Sequence, residues 1–306
     1  MRLTLRHLEH FSAVAQTGSI SAAATRQRVS RTSITEALDT LERITQTVLC
    51  ERSRSHGVVL TTAGQDFLQR SHQLLTAAQA LEVTDDDRRL TGTLTLGCFR
   101  SLAPTAVPLL WDQFADRHPD VTVAVATGSR RDLLDRLALG TIDVLIAYNL
   151  HALPGVQTAA LYDTAMYALL PADHRLARAG AAPVLELAHE PLLLMDVPPS
   201  SEDVLSYFAH HGVTPTVRLT SPDFELIRSL VARGLGYSLF IQRPQQDLSY
   251  EGLPVACVPL DPPPHLERAG IGWSDRRLLP APGRAFVDLA LEYAEQIRPR
   301  PLDARA

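Results

Sequence analysis

The chain is 306 residues long, with 45% hydrophobic residues and a mean hydropathy near zero, enough to build two or three packed units. It holds no run of about 18 apolar residues, which excludes a membrane-spanning helix, and MRLTLRHLEHF lacks the apolar core of a signal peptide, so a cytoplasmic location is expected. The net charge of −5 hides an uneven split: residues 1–60 carry eight Arg against five acids, a basic head on an acidic body, which fits nucleic-acid binding confined to the head.

Residues 2–16 read as a first helix, with Leu5, Leu8, Phe11, Val14 and Ala15 at helical spacing and Gly18 as its left-handed C-cap. A second helix runs from about Ser19 to Arg28, where Ala22, Ala23 and Ala24 form a thin face for close crossing. Val29-Ser30-Arg31 is the turn, and Ser30 suits the N-cap of a third helix, about Thr32 to Arg43, that buries Ile34, Leu38 and Leu41. The opposite face shows Arg31, Thr32, Thr35, Glu36, Asp39, Thr40 and Arg43. Two short helices with this turn have the form of a helix-turn-helix, whose second helix enters the DNA major groove. Ser30, Arg31, Thr32, Ser33, Thr35, Glu36, Asp39 and Thr40 are the candidate DNA contacts. A hairpin follows, Leu49–Arg52 and Val58–Leu60, turning at Ser55-His56-Gly57 and placing Arg52 and Arg54 near phosphates.

Thr62-Ala63-Gly64 opens a long helix in which Phe67, Ser71, Leu74, Ala78 and Leu81 recur at four, three, four, three. That spacing suggests a dimerisation seam. The run Asp85–Arg89 reads as a hinge. From Thr91 onward β-rich runs alternate with helices, which argues an α/β fold with mostly parallel sheets. The strands are expected at 93–97, 121–127, 144–148, 166–170, 191–195, 217–220, 237–241, 255–258 and 269–273. Helices are expected at Pro104–Arg117, Arg130–Leu139, Ser201–His211, Phe224–Ala232 and Pro282–Ile297.

With Leu8, Phe11, Gly18-Ser19, Ala23-Ala24, Val29-Ser30, Leu41-Glu42, Arg52 and Leu60-Thr61…Gly64 in register, the chain resembles the LysR-type transcriptional regulators. GTIDVLIAY and LVARGLGYSLF are similar to signatures of that family's second domain. Gln27, Arg31-Thr32 and Cys50 depart from the usual pattern, and Arg31-Thr32 changes the start of the reading helix. The resemblance implies a winged helix-turn-helix at 1–62, a linker helix at 63–90 and a two-lobed effector domain of the periplasmic-binding-protein type 2 fold at 91–300. Lobe one would be 91–160 with 268–300, lobe two 161–267, with crossovers near Gln157–Leu161 and Leu266–Ala269. The implied partners are double-stranded DNA, a small-molecule effector, a second copy in a homodimer or homotetramer, and RNA polymerase.

In parallel α/β sheets ligands sit at the carboxyl ends of strands, where helix N-termini favour anions. Four such loops supply Arg100 and Ser101, Thr127 and Gly128, Ser200 and Ser201, and Ser221. Ser-bearing helix starts converging with Arg100 suggest a carboxylate effector held bidentately. Serines in such places are also ordinary helix caps. An enzyme on this fold is the rival class, but there is no G-x-S-x-G, H-E-x-x-H, phosphate loop or G-x-G-x-x-G, and no spaced His/Cys cluster for a metal. A cofactor is not expected. A cysteine redox sensor and an effector-independent regulator also compete; Cys50, Cys98 and Cys257 are far apart, as expected of reduced thiols.

Overall fold

Three helices and a hairpin make the head. The computed structural model describes residues 3–53, 57–82, 89–151 and 153–302. Helix α1 (Leu5–Thr17) is capped by the Thr4 side chain and ends at Gly18, whose φ of 62° is left-handed. Helix α2 (Ile20–Gln27) is capped by Ser19, and α3 (Arg31–Thr45) by Ser30, whose hydroxyl accepts the Ser33 N–H at 3.0 Å. A cap of this kind contributes about 1 kcal/mol. Ala23 and Ala24 are buried where α1, α2 and α3 meet, whereas Ala22 points to solvent, so the thin face is two residues wide. Leu8, Phe11, Val14, Ile34, Leu38 and Leu41 fill the core of the head.

Strands β1 (Cys50–Ser53) and β2 (Gly57–Leu60) form the antiparallel wing, with Cys50 opposite Leu60. The wing leans on the α1–α2 turn, where the Val58 N–H donates to the Gly18 carbonyl at 2.8 Å. Helix α4 (Thr62–Glu82) then starts against the wing. At Gly64 a Cβ would lie 2.0 Å from the Leu49 carbonyl oxygen, so this position takes no side chain. Phe67 meets Phe11 edge-on, with ring centroids 5.3 Å apart.

The body has two lobes. The first comprises β3 (Gly92–Phe99), α5 (Ala103–Arg117), β4 (Val121–Gly128), α6 (Arg130–Leu139), β5 (Val144–Tyr148) and β6 (Val156–Ala165). The chain then enters the second lobe, with β7 (Tyr167–Pro171), a 3-10 turn (Arg175–Arg178), β8 (Ala182–Pro183), α7 (Val184–Leu187), β9 (Pro191–Met195) and α8 (Ser200–His210). β10 (Thr216–Ser221), α9 (Phe224–Ala232), β11 (Ser238–Phe240) and β12 (Val255–Asp261) complete it. β13 (Leu266–Ser274) returns to the first lobe, followed by α10 (Ala281–Glu292) and α11 (Ala294–Ile297).

The first sheet runs β4-β3-β5-β13-β6 and the second β11-β7-β12-β8, extended by the β10-β9 pair through a bridge between Leu192 and Tyr237. These sheets are mixed, a correction to the expectation of mostly parallel ones. β13 runs antiparallel to both β5 and β6, and β7 antiparallel to both β11 and β12. β6, expected only as a crossover, is a ten-residue strand. A register shift opposite Ala269/Gly270 leaves Leu161 unmatched and breaks its alternation, which hides the strand from a period-two reading. The expected final helix is two, parted at Tyr293. β6 and β13 cross between lobes as one ribbon, pairing Leu266 with Ala165 and Arg268 with Asp163.

Candidate nucleic-acid interface and effector cleft

The start of α3 shows one face to solvent while Ile34 holds the other in the core. Arg31, Thr32, Glu36 and Asp39 are exposed on one face. Ser33 is half-buried, its hydroxyl 2.8 Å from that of Ser30, and the Thr35 hydroxyl donates back to the Arg31 carbonyl at 3.0 Å. Two exposed donors, Arg31 and Thr32, thus lead the helix at the end that would meet base edges. Thr40 is corrected. It is only 6% exposed, on the inner face with Ala37 and Leu41, and its hydroxyl accepts from the Arg43 guanidinium at 3.3 Å. It serves the head's packing and cannot reach a groove. Glu42 ties α3 to the wing: one carboxylate oxygen accepts the Leu49 and Cys50 N–H groups at 2.8 and 3.1 Å. Arg52 lies in β1 opposite Val58, on the strand that leads to the hairpin tip, and Arg54 lies outside the described residues.

The expected dimerisation seam divides. Phe67 packs on Phe11, and Ser71 is 1% exposed with its hydroxyl donating to the Phe67 carbonyl at 2.7 Å. These two serve their own head, a correction to their reading as partner contacts: the α1 surface already covers them. Leu74 is 51% exposed and Ala78 lies further along the same helix, while the Leu81 side chain lies outside the described residues.

Between the lobes run two adjoining narrow crevices, the second the smaller, that share Ser200 and Ile241. The first is lined by Ser101, Met166, Met195, Phe224, Phe240 and Gln242 among others. The second is lined by Phe99, Arg130, Tyr148, Asn149, Asp203 and Glu267 among others. A wider cavity of about 420 Å³ opens beyond Ser101 and Gln242, toward Arg243 and Arg298. Helices α5 and α8 both begin here, at Leu102 and Pro199, with no side chain capping them. In α5 the second helical residue is Pro104, which has no N–H, and the first N–H of α8, that of Ser200, donates to the Val197 carbonyl at 2.8 Å.

Gln242, 1% exposed, joins the lobes. Its Oε1 accepts from the Tyr148 and Tyr162 hydroxyls at 3.0 and 3.2 Å, and its Nε2 donates to Thr105 at 2.7 Å. Glu267 is 3% exposed on β13; Asn149 donates to one oxygen, and His265 lies 2.7 Å from the other. Asn149 holds a left-handed φ of 51° at the end of β5. Burial, and then the neighbouring Glu267, raise the Asp203 carboxyl above its ordinary value, against a smaller opposing pull from His265 and Arg130.

Of the expected effector residues, Ser101 and Ser200 line the cleft. Arg100 does not: it is exposed, and its backbone N–H donates to the Gly128 carbonyl at 3.2 Å, which ties the loop down outside the crevices. Thr127 is exposed and Gly128 buried under Leu133, and neither lines a crevice. Ser201 is buried behind Ser200, and Ser221 accepts the Asp223 N–H at 3.1 Å, as a local turn. Sequence reasoning missed Arg130, Asn149, Asp203, Gln242 and Glu267. Arg130 and Asp203 sit in first helical turns next to the loops it singled out; Gln242 and Glu267 carry no motif.

Two of the thiols are hard to ionise. Burial pushes Cys98 far up, and burial with the Asp247 charge pushes Cys257 up to about 12. Among the described residues no group of His, Cys, Asp and Glu could hold a metal ion, and no helix is long and apolar enough to cross a membrane.

A winged helix-turn-helix joined by one long helix to a two-lobed body with a cleft defines a transcriptional regulator whose DNA-binding head is governed by an effector domain. Residues 5–65 match the family described as bacterial regulatory helix-turn-helix protein, lysR family, and residues 87–295 match the LysR substrate binding domain. The chain belongs to the LysR family of transcriptional regulators, proteins that bind DNA and small-molecule effectors and form oligomers. It is 30% identical over 250 residues to the uncharacterised HTH-type transcriptional regulator YnfL of Escherichia coli, covering 78% of this chain and 82% of that one. It is 31% identical over 195 residues to a probable hydrogen peroxide-inducible genes activator of Mycobacterium avium, covering 63% and 62%. The crystal structure of HinK, a LysR family regulator from Pseudomonas aeruginosa, matches with a TM-score of 0.63 at 30% identity, covering 97% of this chain and 100% of that one.

Proposed function

We propose that the chain reads operator DNA through Arg31, Thr32, Glu36 and Asp39, with Arg52 and Arg54 of the wing on the backbone, and that a small ligand between Ser101 and Ser200 resets the angle between the lobes. The protein acts in the cytoplasm as a homodimer or homotetramer, its exposed Leu74 and the Ala78 position contributing to the subunit contact, and it meets RNA polymerase at the promoter. It catalyses no reaction. The working units are the head at 1–62, the linker helix at 63–90 and the effector domain at 91–300.

The observation that carries this reading is the exposed face at the start of α3, on a head that also bears a wing and whose core is complete without that face. Two heads on half-sites about one helical turn apart would multiply affinity. The ligand acts by population shift, and must prefer one lobe arrangement by a few kcal/mol. A carboxylate or similar acceptor suits Arg130 and the Ser101 and Ser200 side chains that line the crevices. The redox reading has no support in the buried thiols, despite the name of the mycobacterial relative. Gel retardation with the DNA upstream of the gene tests the proposal. Binding at low salt that falls steeply as salt rises is expected, because Arg–phosphate contacts release counterions; no retardation, or salt-independent retardation, ends it.

A further inference from the structure

We infer that the ligand of the inter-lobe cleft is a zwitterion, a small molecule bearing both an ammonium and a carboxylate group. This rests on the reading of the cleft as the effector site. The smaller crevice is lined from lobe one by Arg130, the first residue of α6, and from lobe two by Asp203, in the first turn of α8. Both residues are half-buried. Among the described residues, neither the guanidinium nor the carboxylate makes a hydrogen bond or an ion pair. Glu267 lines the same crevice as a buried carboxylate whose oxygens are held by Asn149 and His265. The cleft therefore presents a cation on one lobe and an anion on the other, which attract each other across the crevice without forming an ion pair, and a second anion fixed on the crossover strand.

Charges drawn partly out of water without partners are costly, and a ligand that pairs them recovers that cost. A plain carboxylate would satisfy Arg130 and be repelled by Asp203 and Glu267. A plain amine would satisfy the two acids and be repelled by Arg130. A molecule with both groups meets Arg130 with its carboxylate and Asp203 with its ammonium. Arg100, the cation expected from sequence to hold the ligand, lies outside the crevices. Because Arg130 and Asp203 belong to different lobes, the zwitterion also ties the lobes together, which neither single-charge molecule does.

The test uses the full chain, thermal-shift screening and titration calorimetry. The probes are the proteinogenic α-amino acids and 4-aminobutyrate, each set beside its des-amino acid and its decarboxylated amine. At least one zwitterion is expected to stabilise the protein, with both of its analogues binding roughly tenfold more weakly or worse, the weight of one charge-assisted hydrogen bond. Asp203→Asn should erase the preference over the des-amino acid, and Arg130→Met the preference over the amine. Retained DNA retardation by each variant checks folding; should a variant fail to fold, the wild-type analogue series decides alone. The inference is overturned if no zwitterion shifts the melting temperature, or if a des-amino acid or an amine binds as well as its zwitterion. A plain acid that binds wild type and Asp203→Asn equally would keep the cleft as an effector site and end only the zwitterion. Failure of wild type to retard DNA would end the regulatory reading instead.

Discussion

Gly64→Ala should unseat the wing from the linker helix. A Cβ at position 64 would stand 2.0 Å from the Leu49 carbonyl oxygen and 3.0 Å from its carbon, both backbone atoms that no rotamer change can move. Relief needs a shift of roughly 1 Å between the start of α4 and β1, in a head packed to interior density. That shift breaks the bond from the Thr61 hydroxyl to the Val48 carbonyl, 2.7 Å, and from the Thr61 N–H to the Leu49 carbonyl, 3.1 Å. Two hydrogen bonds at about 1 kcal/mol each, with overpacking of about 1–3 kcal/mol, put the loss near 3–5 kcal/mol, confined to the head. Gly180→Ala is the control: its φ of 76° makes a side chain strained, but nothing lies within 4 Å, so about 1–2 kcal/mol is expected, outside the head. Hydrogen exchange at the Leu49 and Cys50 amides, with operator affinity measured beside it, reads the effect where it falls. Protection and affinity equal to wild type in Gly64→Ala would refute the steric argument.

Other perturbations separate the remaining roles. Arg31→Ala should weaken operator binding roughly tenfold and flatten its salt dependence, while Thr40→Val should leave base preference unchanged and cost only about 1 kcal/mol of stability; a change of operator preference in Thr40→Val would restore it as a contact. The carboxyl of Asp203 is raised above 3.8, so ionising it costs stability as pH rises through and past that value. Asp203→Asn should therefore melt higher than wild type at pH 7 without ligand, and lose that advantage below about pH 4, as thermal melts across pH will read. Gln242→Met strands the Tyr148 and Tyr162 hydroxyls, while Thr105 keeps its bond to the Leu102 carbonyl, and should cost about 2–4 kcal/mol in urea unfolding. Cys98→Ser and Cys257→Ser should respond to ligand as wild type does, and peroxide should leave operator binding unchanged, because neither thiol ionises near neutral pH.

The head is legible in its sequence because its signals are local. Gly18, Ser19 and Ser30 sit at helix ends where only a left-handed residue or a hydroxyl cap serves, and Ile34, Leu38 and Leu41 mark one face. Thr40 misleads because a threonine at the edge of that face is as comfortable inside as out; its neighbour Arg43 decides. Phe67 and Ser71 mislead for another reason: a heptad seam says that a face is covered, and α1 covers it before any second chain can. In the body, strand-end loops are readable as a class, yet the direction each side chain takes is not. Arg100 turns out and Arg130, thirty residues later, turns in. Gln242 and Glu267 reach the cleft from a loop and a crossover strand, and only the pairing of β6 and β5 with β13 brings Glu267 beside Asn149.

That pairing also limits what a ligand can do. The two crossover strands are fastened along their length, and Arg268 grips Asp163 across them at 2.7 Å, so the hinge is a single ribbon and the lobes have one principal way to move. A molecule held only by Ser101 and Arg130 would ride on lobe one at any lobe angle. Equal affinity in both arrangements shifts no equilibrium, however tight the binding. A regulating ligand must therefore bond to both sides of the ribbon at once, and the groups left unpaired on the two sides are of opposite sign. The hinge that makes the cleft a switch is the same feature that makes a singly charged ligand a poor key for it.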